Sequence, residues 1–216
     1  MRRAMANPFY LAVECILLFV GVPVLIFYRV LPNLPIPYLL AAALGVVLLL
    51  RRDPSFDSGQ LLSTRGVVPH LSTLLVRDSV FLILLALAVR ILAPELLFSL
   101  VKRSPGFWAL IMVLYPLVSV YPQEVLYRAF FFRRYQPLFR SSWTMLAASA
   151  LAFGFAHIIL GNWLAVALSC VGGLLFAFTY HTSNSLLLAC VDHAIFGNFL
   201  FTIGLGRLFY HGAARL

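Results

Sequence analysis

The sequence predicts an all-α, polytopic membrane protein whose seven or eight transmembrane helices form one bundle. Three observations predict it. The 216 residues are 62% hydrophobic and 11% charged, with a mean hydropathy of +0.98. The apolar runs approach the ~20 residues that a helix needs to cross hydrocarbon. The basic pairs Arg2-Arg3, Arg51-Arg52, Lys102-Arg103 and Arg133-Arg134 each sit just beyond such a run, where they reach lipid headgroups. A soluble domain needs a charged shell, whereas 16 Lys+Arg and 7 Asp+Glu cover only loops and helix ends. The period-two alternation of a membrane β-barrel is absent. The membrane also accounts for the net charge of +9, so no nucleic-acid partner is expected.

The elements follow in order. Residues 9–28 make a first span interrupted by Pro23, and a proline-rich turn leads to a second span at 36–50 that Arg51-Arg52-Asp53-Pro54 ends. The polar stretch 53–78 is expected as the main extramembrane loop, with an interfacial helix at 70–77. A third span at 80–100 carries Arg90, Pro94 and Glu95, which calls for distortion or a face toward other helices. Residues 107–121 form a fourth. Pro122 then suits the start of a new helix at 123–135. Spans at 143–160, 163–180 and 186–203 complete the set.

The whole chain, 1–216, reads as one integral membrane domain, with residues 121–203 as its motif-bearing core. Arg2-Arg3 and the 51–77 segment fall on one side when two helices separate them, which predicts a cytoplasmic N-terminus. The compact size points to a bacterial cell (inner) membrane. Cys15, Cys170 and Cys190 lie in apolar runs without a C-x-x-C pair, as small buried hydrophobes do. No oligomeric state is legible.

Within this apolar chain, Gln123-Glu124-Val125-Leu126-Tyr127-Arg128 places a carboxylate and a guanidinium one helical turn apart. The plainest account of Glu124 and Arg128 is an ion pair that lowers the cost of inserting both into lipid. Gln123, about 100° round the helix, can hold a water but cannot take a proton. His157 closes Phe153-Gly154-Phe155-Ala156-His157, and His193 opens His193-Ala194-Ile195-Phe196-Gly197-Asn198. Taken singly, His157 could bond a backbone carbonyl and Asn198 could act as packing glue. Taken together, these groups are most of the polar side chains deep in the last four spans, on three helices.

If those helices converge, a carboxylate and a histidine can activate water while a second histidine and an asparagine steady a tetrahedral oxyanion. That is the chemistry of peptide hydrolysis. Glu124, His157 and His193 could instead ligate Zn²⁺, but H-E-x-x-H is absent, so a mechanism without a cofactor is favoured. No serine elbow and no pair of intramembrane aspartates is evident, Asp192 standing alone. A small transporter would also place charge within spans, yet no internal repeat accompanies it here.

Over residues 121–198 the chain resembles the CPBP family of CAAX-protease and bacteriocin-processing intramembrane proteases, which includes the CAAX prenyl endopeptidases. That family's order is E-E-x-x-x-R, F-x-x-x-H, H-x-x-x-N on an eight-helix membrane fold, and the chain reads QEVLYR, FGFAH and HAIFGN. The resemblance implies catalytic roles for Glu124, His157 and His193, with a membrane-associated peptide or protein as substrate. Two positions depart. Gln123 occupies the place of the glutamate with which the family activates water, and Gly197 occupies that of the asparagine, with Asn198 one residue late. The resemblance thus implies either that Glu124 acts as base beside a water held by Gln123, or that the chain is a silent relative that binds a membrane peptide, as an immunity protein would.

Overall fold

The computed structural model describes residues 7–64 and 67–209, and within them every regular element is helical. The basic pair Arg2-Arg3 lies outside these residues. Helix α1, Pro8–Phe27, starts where Asn7 accepts the Phe9 N–H and Pro8 takes the first turn, a place where its missing donor costs nothing. Pro23 stays within it because the preceding turn, Leu17–Gly21, widens to a π-turn and relieves the clash of the ring with the chain behind it. Helix α2, Pro35–Arg52, ends on its two arginines at Asp53. The Asp53 carboxylate accepts from Ser55 and from Arg133, at 2.7 Å for the closer guanidinium nitrogen, and these hydrogen bonds hold its pKa at about 2.

Helix α3, Val67–Leu92, takes in the helix expected at 70–77 within the 53–78 stretch and extends it, and Asp78 is buried within the bundle. The span expected to reach residue 100 stops at Leu92, because Pro94 forces the residue before it out of helical geometry. A 3₁₀ turn at Pro94–Leu96 and a short helix at Ser99–Arg103 follow.

Pro122 does not begin a new helix. Helix α4 runs unbroken for 34 residues, Pro105–Leu138, through both Pro116 and Pro122. Pro116 opens one π-turn, Pro116–Val120, and a second, Val125–Phe130, follows the short stretch that holds Pro122. These widened turns absorb what a regular α-helix could not. Helices α5 (Ser142–Leu160), α6 (Trp163–Ser183) and α7 (Leu186–Thr202) are opened by the side chains of Ser141, Asn162 and Ser185. The last turn of α5, His157–Leu160, tightens to 3₁₀ and stops at Gly161, whose φ of +63° only glycine adopts freely.

Among the described residues five helices, α1, α2, α4, α5 and α6, are long and apolar enough to cross a membrane, against the seven or eight expected. Helix α7 is apolar but shorter, and α3 carries Arg77 and Asp78 near its middle. The surface shows the inversion that lipid demands. Phe9, Ile91 and Trp163 are exposed, whereas Glu124, Arg128 and Asp192 are each 0% exposed. The three cysteines are free, Cys190 being buried. Helices α5 and α6 touch backbone to backbone: a Cβ at Gly154 would collide with Cys170, and one at Gly173 would press on Ala150, the close approach small residues permit.

Asp192 is not alone. Arg77 donates to Asp78 Oδ1 at 2.7 Å, to Asp192 Oδ2 at 2.6 Å and to Thr179 at 3.0 Å, and Thr179 donates to the same Asp192 oxygen. One cation thus joins α3, α6 and α7 through two buried carboxylates. Arg77→Met is expected to cost about 2–3 kcal/mol, since it strands both carboxylates. The side chain's 22% exposure keeps the loss below that for a fully enclosed cation. Thermal unfolding in detergent reads it, and Asp78→Asn, which removes the surplus negative charge, should cost less.

Candidate active site

The site is assembled from four helices. Glu124 and Arg128 lie one turn apart on α4, the second inside the π-turn. Arg128 Nε is 3.2 Å from Glu124 Oε2, near enough for ionic attraction but not aligned as a hydrogen bond. The rest of the guanidinium is held by α5 and α6: it donates to Ser149 Oγ at 3.3 Å and to the Gly173 carbonyl at 3.2 Å, and its carbon lies 5.0 Å from the Phe153 ring centre. Ser149 passes its own hydrogen to the Tyr127 carbonyl.

The other carboxylate oxygen, Glu124 Oε1, lies 2.9 Å from His193 Nδ1 on α7. A carboxylate only accepts, so Nδ1 carries the hydrogen. His193 Nε2 is 3.0 Å from the Tyr115 hydroxyl. Phe176 stacks on the imidazole at 4.5 Å and Phe153 meets it edge-on at 5.3 Å, so the ring is fixed in orientation. Arg128, Glu124, His193 and Tyr115 form one chain of contacts running from the bundle's centre to a cavity wall.

Two cavities meet there. One, of about 500 Å³, lies between α1, α2, α4 and the end of α5, with Ser119, Gln123 and Tyr127 on its wall. The other, of about 330 Å³, lies among α3 to α7, with Phe176, His193 and Gly197 on its wall. Tyr115 and His157 line both. His157 Nδ1 is 2.8 Å from the Phe153 carbonyl. The carbonyl accepts, which leaves Nε2 as the unprotonated nitrogen of the neutral ring. Gln123 donates through Nε2 to Ser119 at 2.6 Å, and its amide oxygen can accept from a water.

The structure therefore sorts the expected residues. Glu124, Arg128 and His193 come together. His157 and Gln123 share a cavity with each other, and Phe153 contacts both histidines. Glu124 stands back from both cavities: His193 and Arg128 take its two oxygens and it lines neither wall. Asn198 is also elsewhere. It donates to the Met112 carbonyl at 3.3 Å, one turn before Pro116, which has no N–H to give it, and its own oxygen is buried without a partner. Glu124, His157 and His193 do not fit a zinc ion. Glu124 and His193 face one another, His157 Nδ1 turns to its own helix, and no three His, Cys, Asp or Glu side chains among the described residues group as metal ligands would.

Tyr115 and Phe176, which with Phe153 of the second motif clamps the His193 ring, escaped sequence reasoning. Tyr115 is 78 residues from His193 in a run of ordinary apolar character. The following proline is the sole local mark, and it signals helix distortion rather than chemistry.

No curated protein and no solved structure matches the chain. Over residues 105–200, which hold every side chain of this site, the chain matches the family model of the type II CAAX prenyl endopeptidase Rce1-like proteins, the CPBP group that its three motifs resemble.

Proposed function

We propose that the protein is an intramembrane endopeptidase, with His157 as the base and Gln123 orienting the attacking water. The observation that carries this reading is His157 itself, with Nδ1 anchored to its own helix and the ring lining both cavities. The Rce1-like match supports it, since that family is usually proteolytic. A membrane-anchored peptide would lie along the apolar walls. Water attacks its carbonyl carbon, His157 Nε2 takes the water's proton, and the carbonyl electron pair moves to oxygen. As the C–N bond breaks, the same proton passes to the leaving nitrogen. Glu124 then serves through His193, whose orientation it sets through Nδ1, and Arg128 holds the other Glu124 oxygen. The substrate class is a membrane-associated protein or peptide, and the setting that suits the chain is a bacterial cell membrane with the N-terminus in the cytoplasm.

One observation favours a second reading, a peptide-binding relative without turnover: among the described residues no carboxylate lines either cavity. The test is cleavage of a lipid-anchored fluorogenic peptide by the purified protein in liposomes. Wild-type turnover, raised about tenfold or more in Gln123→Glu because a carboxylate now faces the water, supports the protease. Peptide binding without cleavage in the wild type, with turnover appearing only in Gln123→Glu, supports the silent relative.

A further inference from the structure

Position 197 is a glycine in the middle of α7, where glycine is unfavourable by roughly 1 kcal/mol relative to alanine. The structure gives its reason. A Cβ built on Gly197 would run into the Tyr115 ring, at both its edge and its hydroxyl end. Tyr115 therefore occupies the volume that any side chain at 197 would fill, and it reaches there from another helix, α4. In that place its hydroxyl is 3.0 Å from His193 Nε2 and its ring forms wall in both cavities. The ring is held edge-on by Phe201 at 5.4 Å. A tyrosine packed this firmly, with its polar end brought to a histidine and a cavity, is placed for more than filling space.

We propose that Tyr115 is a catalytic hydrogen-bond donor, giving its O–H to the carbonyl oxygen of the bound peptide as negative charge develops there, and that Gly197 exists to admit it. The inference rests on the protease reading above. In the empty site the tyrosine hydroxyl lies 3.0 Å from His193 Nε2, and because its ring walls both cavities the O–H can turn from that nitrogen to the carbonyl oxygen of an entering peptide. When water adds to the carbonyl carbon, the C=O electron pair moves onto oxygen and is met by this O–H. His157 holds the water's proton until the C–N bond breaks, and the tyrosine keeps its own proton throughout. At the position where the motif of the resembling family has an asparagine, this chain thus places a donor from a different helix.

Tyr115→Phe keeps the ring in the space beside Gly197 and removes only the hydroxyl. The expected result, in the liposome cleavage assay, is a fall of about 10²–10³-fold in kcat with KM within about threefold of wild type, as for loss of one oxyanion donor, and an unchanged melting temperature. The double variant Tyr115→Ala/Gly197→Asn, which returns an amide to the vacated volume, should recover part of the kcat lost in Tyr115→Ala. A Tyr115→Phe protein that keeps kcat within twofold of an active wild type overturns the inference and leaves the protease reading standing. A kcat loss matched by a lower melting temperature and a raised KM also overturns it, since that is packing. A wild type with no turnover removes both.

Discussion

Arg128→Ala should lower the stability of the folded protein by about 3–5 kcal/mol, the usual result of breaking a buried pair and leaving the other charge uncompensated. The guanidinium is fully enclosed, so no headgroup or solvent can take its place. Its loss strands the Glu124 oxygen, the Ser149 hydroxyl contact and the Gly173 carbonyl on three different helices. Thermal unfolding in detergent measures it. A Glu124→Gln/Arg128→Met protein, which removes both charges while keeping volume, should recover a large share of the loss. A single Arg128→Ala variant that melts like wild type would mean that His193 alone compensates Glu124.

His157→Ala should reduce kcat by about 10²–10⁴-fold, the range for a general base, while the protein stays folded. The side chain makes one hydrogen bond, to a carbonyl within its own helix, and its ring contacts are with Phe153 and Phe209, which alanine leaves in place. His193→Ala is the informative comparison. It removes the partner of Glu124 and the ring between Phe153 and Phe176, so stability and rate should fall together. If His157→Ala lost stability and kept its rate, the ring would be a helix stop and the base would have to be sought elsewhere.

The helical membrane character was legible because composition and run length reflect a solvent, lipid, that acts on every residue alike. The ion pair of Glu124 with Arg128 was legible for a different reason: helical spacing is local, and four residues make one turn whatever surrounds them. What failed was whatever depended on another helix. Pro122 looked like a helix start because proline propensity favours first turns, but a π-turn let α4 continue. Asp192 looked solitary because its partner Arg77 lies 115 residues away. The direction of Glu124 was equally hidden, because sequence gives its spacing and not which way its carboxylate points. One residue of rotation, about 100°, separates the cavity wall at Gln123 from the enclosed position of Glu124.

The bond from Asn198 to the Met112 carbonyl carries a consequence for substitution. Proline at 116 has no amide hydrogen to return to that carbonyl, and the amide at 198 gives it one from another helix. Neither residue is explained by its own neighbours. An ordinary residue at 116 would bring its own N–H to the carbonyl and make the amide at 198 dispensable there, whereas losing that amide would leave the carbonyl without its donor from the other helix. The two sites answer to one carbonyl, 82 positions apart in the chain.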